Sequence, residues 1–321
     1  MGQVFARHLA QGGAEVTLLV REKYAAECRA GFPMYSLNRA RHFRTIPEWF
    51  HGALVITSPE DVRAQRWDQV YVTVSSAALR GAWFEELARD IGDATLVLLQ
   101  PGPDDRDYAL AHVPAERLVQ GVISLVSYAA PLPGETRFPE PGMAYWFPPA
   151  PSPFSGPEAR RDEVVNALKR GGMPAARHAD VSRVVDFPNA GSMPLLLHLE
   201  ASNWSFARAF HDDRRGLDAS LAAGRQAMAV VAKRSGRRVP LLLRLGLRGV
   251  TLRLGTALAR FIVPFDLETY VRAHFTKVAD QTRMVVGRFV ALGRERGLPV
   301  DKLVALSAPE RGTPSGRLAS P

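Results

Sequence analysis

Gly2-Gln-Val-Phe-Ala-Arg-His-Leu-Ala-Gln-Gly-Gly-Ala-Glu-Val-Thr-Leu-Leu-Val-Arg21 is the stretch on which the fold turns. Val4, Phe5, His8 and Leu9 recur at helical spacing, which predicts a helix over residues 2–12 that Gly12-Gly13 closes. Glu15 to Val20 then reads as a short buried strand, and Arg21 follows it directly. A nucleotide-binding α/β unit begins strand, glycine-rich turn, helix, strand. Its turn amides and helix N-terminus hold a pyrophosphate, and a residue after the second strand reads the ribose. Here the helix and second strand are present, and Gly2 stands where the last glycine of G-x-G-x-x-G would stand. The first strand and most of the turn, about ten residues, are expected upstream. The expectation is an upstream natural start or a truncated form.

Working outward, strands are expected over 53–57, 69–74, 94–99 and 118–126, with helices over 22–30 and 77–91. Strands alternating with helices imply a parallel sheet covered on both faces. Pro131 to Pro157 is proline-rich, with strand expected only over Met143–Trp146. A helix is expected over Glu158–Arg170, and from about Val181 the chain reads as helical. The expected fold class is α/β. A Rossmann-like doubly wound domain over 1–178 lacks its first strand, and an all-helical domain follows over 179–306. The Ser/Pro/Gly-rich tail over 307–321 is expected to be disordered.

With 321 residues the chain suits two domains, and its 46% hydrophobic content excludes wholesale disorder. Cys28 stands alone, which excludes a disulfide framework and a cysteine-rich zinc module. No run of 18 uncharged apolar residues occurs and no charged-then-apolar leader opens the chain. A soluble, cytoplasmic protein with no membrane partner is expected. The net charge of +9 is partly local: eight basic residues and no acidic one lie between Lys233 and Arg260. Leucines fill the gaps. Such a stretch suits an interfacial helix on anionic lipid, a nucleic-acid or phosphate patch, or a helix pair with leucines packed inward and arginines solvated. The last is the expected arrangement. No nucleic-acid motif accompanies it, so no nucleic-acid partner is expected.

The segment from Gly2 to Arg21 resembles the ketopantoate reductase family, which reads there roughly G-x-x-x-A-x-x-L-A-x-x-G-x-x-V-T-L-L-x-R. Val70–Ser75 resembles that family's fourth strand, Leu98-Leu-Gln-Pro-Gly102 its L-x-Q-N-G turn, and Leu292–Pro299 its closing L-G-x-x-x-G-x-P. The resemblance implies a nicotinamide cofactor. Arginine after the second strand suits a 2′-phosphate, so NADP is implied, with Arg21 as first candidate and Lys23 as second. Gly2, Ser75 and Gln100 complete the cofactor-binding set.

Four positions depart from the family pattern. Its interdomain-helix lysine falls on Pro188, its turn asparagine on Pro101, its lysine after the fourth strand on Ser75 and its glutamate on Gln281. A replacement is expected on a helix over Leu267–Leu292. There Tyr270, His274, Lys277 and Gln281 share one face at i, i+4, i+7 and i+11. Lys277 or His274 is the candidate proton donor, and Gln281 a hydrogen-bonding amide. Asn189, with Ser192, Glu200 and Asn203, forms a second polar set, and Glu200 among leucines needs a partner.

The expected function is NADPH-dependent reduction of a small 2-oxo acid or related carbonyl. The alternative is a non-catalytic or cofactor-sensing homologue. An opine-type or 3-hydroxyacid dehydrogenase is a weaker third reading, since its His–acid pair is not placeable. The expected partner is a small-molecule substrate, no metal site is expected, and a homodimer through the helical part suits the plan.

Overall fold

The computed structural model describes residues 1–38, 46–259 and 261–307. The expected tail beyond Ser307 lies outside the described residues. The first half comprises α1 (Gly2–Gln11), β1 (Thr17–Leu19), α2 (Ala25–Ala30), β2 (Phe32–Ser36), β3 (Glu48–Phe50), β4 (Leu54–Ile56) and α3 (Pro59–Arg63). It continues through β5 (Gln69–Val72), α4 (Ser76–Leu79), α5 (Ala82–Asp90), β6 (Thr95–Leu98), α6 (Asp105–Leu110) and β7 (Leu118–Gly121). Then come β8 (Val126–Ala130), β9 (Gly142–Trp146), β10 (Ser152–Ser155), α7 (Glu158–Arg170) and β11 (Ala175–Arg177). From there the described chain is helical: α8 (Ser182–Ala201), a π-turn over Arg208–Asp212, α9 (Arg214–Ser235), α10 (Leu241–Gly246) and α11 (Gly249–Ala259). It closes with α12 (Leu267–Lys277), α13 (Ala279–Glu295) and α14 (Asp301–Ser307).

The expected mixed α/β part followed by a helical part is present, but its strands are not one parallel sheet. A five-stranded sheet runs β11-β10-β7-β6-β5, parallel except for the antiparallel β10–β7 pair. β1 pairs in parallel with β4 in a separate two-stranded sheet. A third sheet, β3-β2-β9-β8, is antiparallel except for β2–β9. Between β1 and β5 lies a groove of about 730 Å³, lined by residues of both strands and by Phe5, Leu9 and Trp83.

α1 forms because its apolar stripe has a core to enter. Val4 and Phe5 are buried against Val97, Val119, Val164 and Leu168. Gly12 ends the helix and Gly13 continues at φ +87°, a left-handed conformation natural to glycine. α1 and α7 meet backbone to backbone: a Cβ on Gly171 would lie 1.6 Å from the His8 carbonyl oxygen. Arg7, buried on the same helix, donates to the Tyr145 hydroxyl at 2.5 Å and pairs with Glu48, tying α1 to the third sheet.

The helical part packs α8, α9, α13 and α14 around Phe187, Met228, Val286, Phe289 and Leu303. Two sequence expectations are corrected here. The single helix over Leu267–Leu292 is broken at Val278, whose φ −118° and ψ 22° leave the helical region, although no proline or glycine marks the site. The leucines after Lys233 do not all turn inward. Leu243 and Leu247 join the core, whereas Leu241, Leu242, Leu245, Leu254 and Leu258 face solvent.

Candidate functional site

The carboxyl ends of β5 and β6 meet the helical part at a cluster of polar groups. After β5, Ser75 caps α4, its hydroxyl accepting from the Ala78 amide at 3.1 Å. The next residue, Ser76, donates its amide to Gln281 Oε1 at 2.9 Å, joining α4 to α13 across the two parts of the chain. Asn189 Nδ2 on α8 donates to the Pro101 carbonyl at 3.1 Å, joining α8 to the turn after β6. Gly2 opens α1 against the same strand end, and a Cβ there would lie 2.8 Å from Thr73 Oγ1. Gly2, Ser75, Gln281 and Asn189, which lie far apart in sequence, are thus gathered at the carboxyl ends of β5 and β6.

Gln100 lies at the same strand ends. Its amide donates to the Val72 and Val74 carbonyls at 2.9 and 2.8 Å, and its Oε1 accepts from the Leu99 amide at 3.1 Å. All its polar groups therefore serve the backbone, and it fixes the end of β5 relative to β6. Sequence reasoning missed Asp105. This fully buried carboxylate accepts from Ser76 Oγ, the Gly102 amide and Arg80 Nη1, each at 2.6 Å. Its signal was an acidic pair, Asp104-Asp105, just after a Pro-Gly-Pro turn at the start of a helix. Arg288 on α13 adds an ion pair to Asp104 at 2.7 Å.

His274 and Lys277 lie on the last turns of α12. The His274 ring stacks on Tyr270 at 5.3 Å and meets Phe275 edge-on at 4.9 Å. Burial depresses its pKa, and the positive charges of the Met1 amine and Lys277 add to the effect. Met1, which begins α1, therefore lies in the electrostatic field of the same helix end. Tyr270 is pushed up to about 12 by burial, so its hydroxyl keeps its proton at neutral pH. Because α12 ends at Val278, the four residues expected on one face divide: Tyr270, His274 and Lys277 on α12, Gln281 on α13.

Arg21 is exposed and starts the turn after β1, and exposed Lys23 places its ammonium 4.9 Å from the centre of the Tyr24 ring. Glu200 finds its partner in Arg283 at 2.6 Å. Asp213 caps α9, its carboxylate accepting from the Gly216 amide at 2.9 Å. No group of three potential metal ligands occurs among the described residues. No described helix is long and apolar enough to cross a membrane.

His274 makes one prediction. Its folded pKa lies below the ordinary 6.5, so the unfolded chain binds its proton first as pH falls. Stability is expected to drop as pH falls below about 6.5, and His274→Gln should flatten that part of a thermal-unfolding profile between pH 7.5 and 5.5. An unchanged slope would assign the acid sensitivity to other groups.

A mixed α/β first part whose strand ends are joined to a helical second part defines a two-domain Rossmann-type architecture. The family model described as ketopantoate reductase PanE/ApbA matches residues 1–150. A PanE/ApbA family ketopantoate reductase from Ralstonia eutropha JMP134 superposes with TM-score 0.68 at 16% identity, covering 94% of this chain and 91% of its own. A 2-dehydropantoate 2-reductase from Geobacter metallireducens GS-15 gives 0.66 at 14% identity, covering 95% and 94%. A D-mandelate dehydrogenase solved with NADH and anilino(oxo)acetate gives 0.66 at 13% identity, covering 96% and 93%. Among curated proteins none matches the sequence.

Proposed function

We propose that this chain is an NADP-dependent oxidoreductase that reduces a small 2-oxo acid or related carbonyl. Residues 1–178 would hold the cofactor, and residues 179–306 would close the substrate cleft. The observation that carries this reading is the convergence of Gly2, Ser75, Asn189 and Gln281 at the ends of β5 and β6. The positive charge of the Met1 amine, at the start of α1, reaches His274.

The residues fit a nicotinamide dinucleotide in chemical type. Gly2 lets the start of α1 approach Thr73 at the end of β5, and the first-turn amides of such a helix favour a pyrophosphate. Exposed Arg21 offers a fork of donors for a 2′-phosphate. When bound, the cofactor supplies hydride to the substrate carbonyl carbon. Lys277 would give its ammonium proton to the forming alkoxide, while His274, kept neutral, would accept a hydrogen bond or donate from its N–H. Gln281 would hold Ser76 and thereby the wall of the cleft.

Fluorescence titration with NADPH and NADH tests the cofactor assignment, on this chain and on a version extended upstream. Arg21→Ala is expected to weaken NADPH by about tenfold or more and to leave NADH nearly unchanged, as loss of a charge-assisted contact requires. Absence of NADPH binding in both folded versions would overturn the assignment. A second reading, a non-catalytic cofactor-binding homologue, is favoured by Gln281, whose carbonyl is already occupied by the Ser76 amide. A 2-oxo-acid screen separates the two: turnover that Lys277→Met removes supports the reductase, and binding without turnover supports the homologue.

A further inference from the structure

We propose that α10 and α11 form a docking surface for anionic lipid, on which the protein lies peripherally. The basis is an apolar stripe on the uncovered side of a packed helix. On α11, Leu252 packs on the cluster of Leu217, Leu221 and Phe210, Ala259 is buried, and Arg253 Nε donates to the Phe210 carbonyl at 2.5 Å. Val250, Leu254 and Leu258 recur every four residues on the opposite side, with Val250 69% and Leu254 59% exposed. α10 repeats the pattern: Leu243 enters the core, while Leu241, Leu242 and Leu245 point out, Leu242 being 82% exposed. Eight of the sixteen large hydrophobic side chains exposed among the described residues fall between Leu241 and Ile262. A surface patch of that density marks an interaction site.

Charge chooses the occupant. Lys233 to Arg260 contains no acidic residue, and exposed Arg238, Arg244 and Arg248 have no ion-pair partner among the described residues. A two-fold dimer through this patch would set arginine against arginine, because each copy presents the same surface. An anionic bilayer offers headgroups to the arginines and acyl chains to the leucines at one depth. The expectation of no membrane partner rested on the lack of a spanning segment. A surface helix needs none.

Co-sedimentation with phosphatidylglycerol/phosphatidylcholine vesicles tests this, with neutral phosphatidylcholine vesicles as the comparison. Binding to the anionic vesicles alone, weakening with salt, is expected. Arg244→Gln with Arg248→Gln should lower the partition coefficient by about 25-fold. Leu242→Ser with Leu254→Ser, which leaves the charge unchanged, should lower it by at least about tenfold. Circular dichroism confirms that these surface variants fold. Equal or absent binding to both vesicle types overturns the proposal, as does binding that neither variant changes. A dimer by light scattering that Leu254→Ser dissociates would also overturn it and assign the patch to a second copy. Retention of a poly-glutamate peptide without vesicle binding would assign it to an acidic protein instead.

Discussion

Asp105→Ala is expected to destabilise the fold by about 3–5 kcal/mol, read as a lower guanidinium midpoint at neutral pH. The carboxylate has no exposure and receives three donors: a hydroxyl, a backbone amide and a guanidinium. Removing it strands the Ser76 hydroxyl and the Gly102 amide away from water, each at about 1–3 kcal/mol. Arg80 keeps its second ion pair, to Asp104 at 2.9 Å, which limits the loss. Asp105→Asn preserves the shape and one acceptor oxygen, so a loss of about 1–2 kcal/mol is expected for it. The effect should reach the cleft, because the amide of Ser76 is the group that Gln281 holds. An unchanged midpoint in both variants would mean that this turn does not rely on the carboxylate.

Gly171→Ala is the second large effect, with an expected loss of about 3 kcal/mol. The added methyl would lie 1.6 Å from the His8 carbonyl oxygen, far inside van der Waals contact. The clashing atom is backbone, so no rotamer change relieves it. α1 must shift away from α7, opening the packing of Phe5 and Leu168. Gly2 moves with α1, so cofactor affinity should fall along with the melting temperature. Gly13→Ala is the useful contrast. It strains a positive φ but meets no atom within 4 Å, so a smaller loss of about 1 kcal/mol is expected.

The segment from α1 to Arg21 was legible because each local signal pointed to the same structure: an apolar stripe, a glycine stop and a β-branched strand. α7 was equally plain. Apart from β9, the strands outside the expected parallel run were hidden for identifiable reasons. β2 of the third sheet carries Pro33 and β10 of the five-stranded sheet carries Pro153, residues that argue against an internal strand. β2 also finds its parallel partner β9 more than 100 residues away, with Met34 opposite Met143. Strands of three residues such as β3 and β11 leave too short a pattern to read. In the site, the resemblance and helical spacing pointed to Lys277, His274 and Gln281. Neither indicated the Val278 break or the Ser76–Gln281 hydrogen bond, because both depend on neighbours distant in sequence. For α10 and α11 the sequence shows two apolar stripes but not which one the rest of the chain covers.

The interruption at Val278 has a mechanical consequence. A continuous rod would carry Lys277 and Gln281 as one rigid unit. Here α12 leans on the third sheet through Tyr270, which packs with Tyr128 and Phe265, whereas α13 is bolted to the turns after β5 and β6 through Gln281 and Arg288. The proposed proton donors and Gln281 therefore take their positions from different foundations. The distance between them registers how the third sheet is seated against the five-stranded sheet, so a tilt of either sheet becomes a change in the alignment of Lys277 with Gln281.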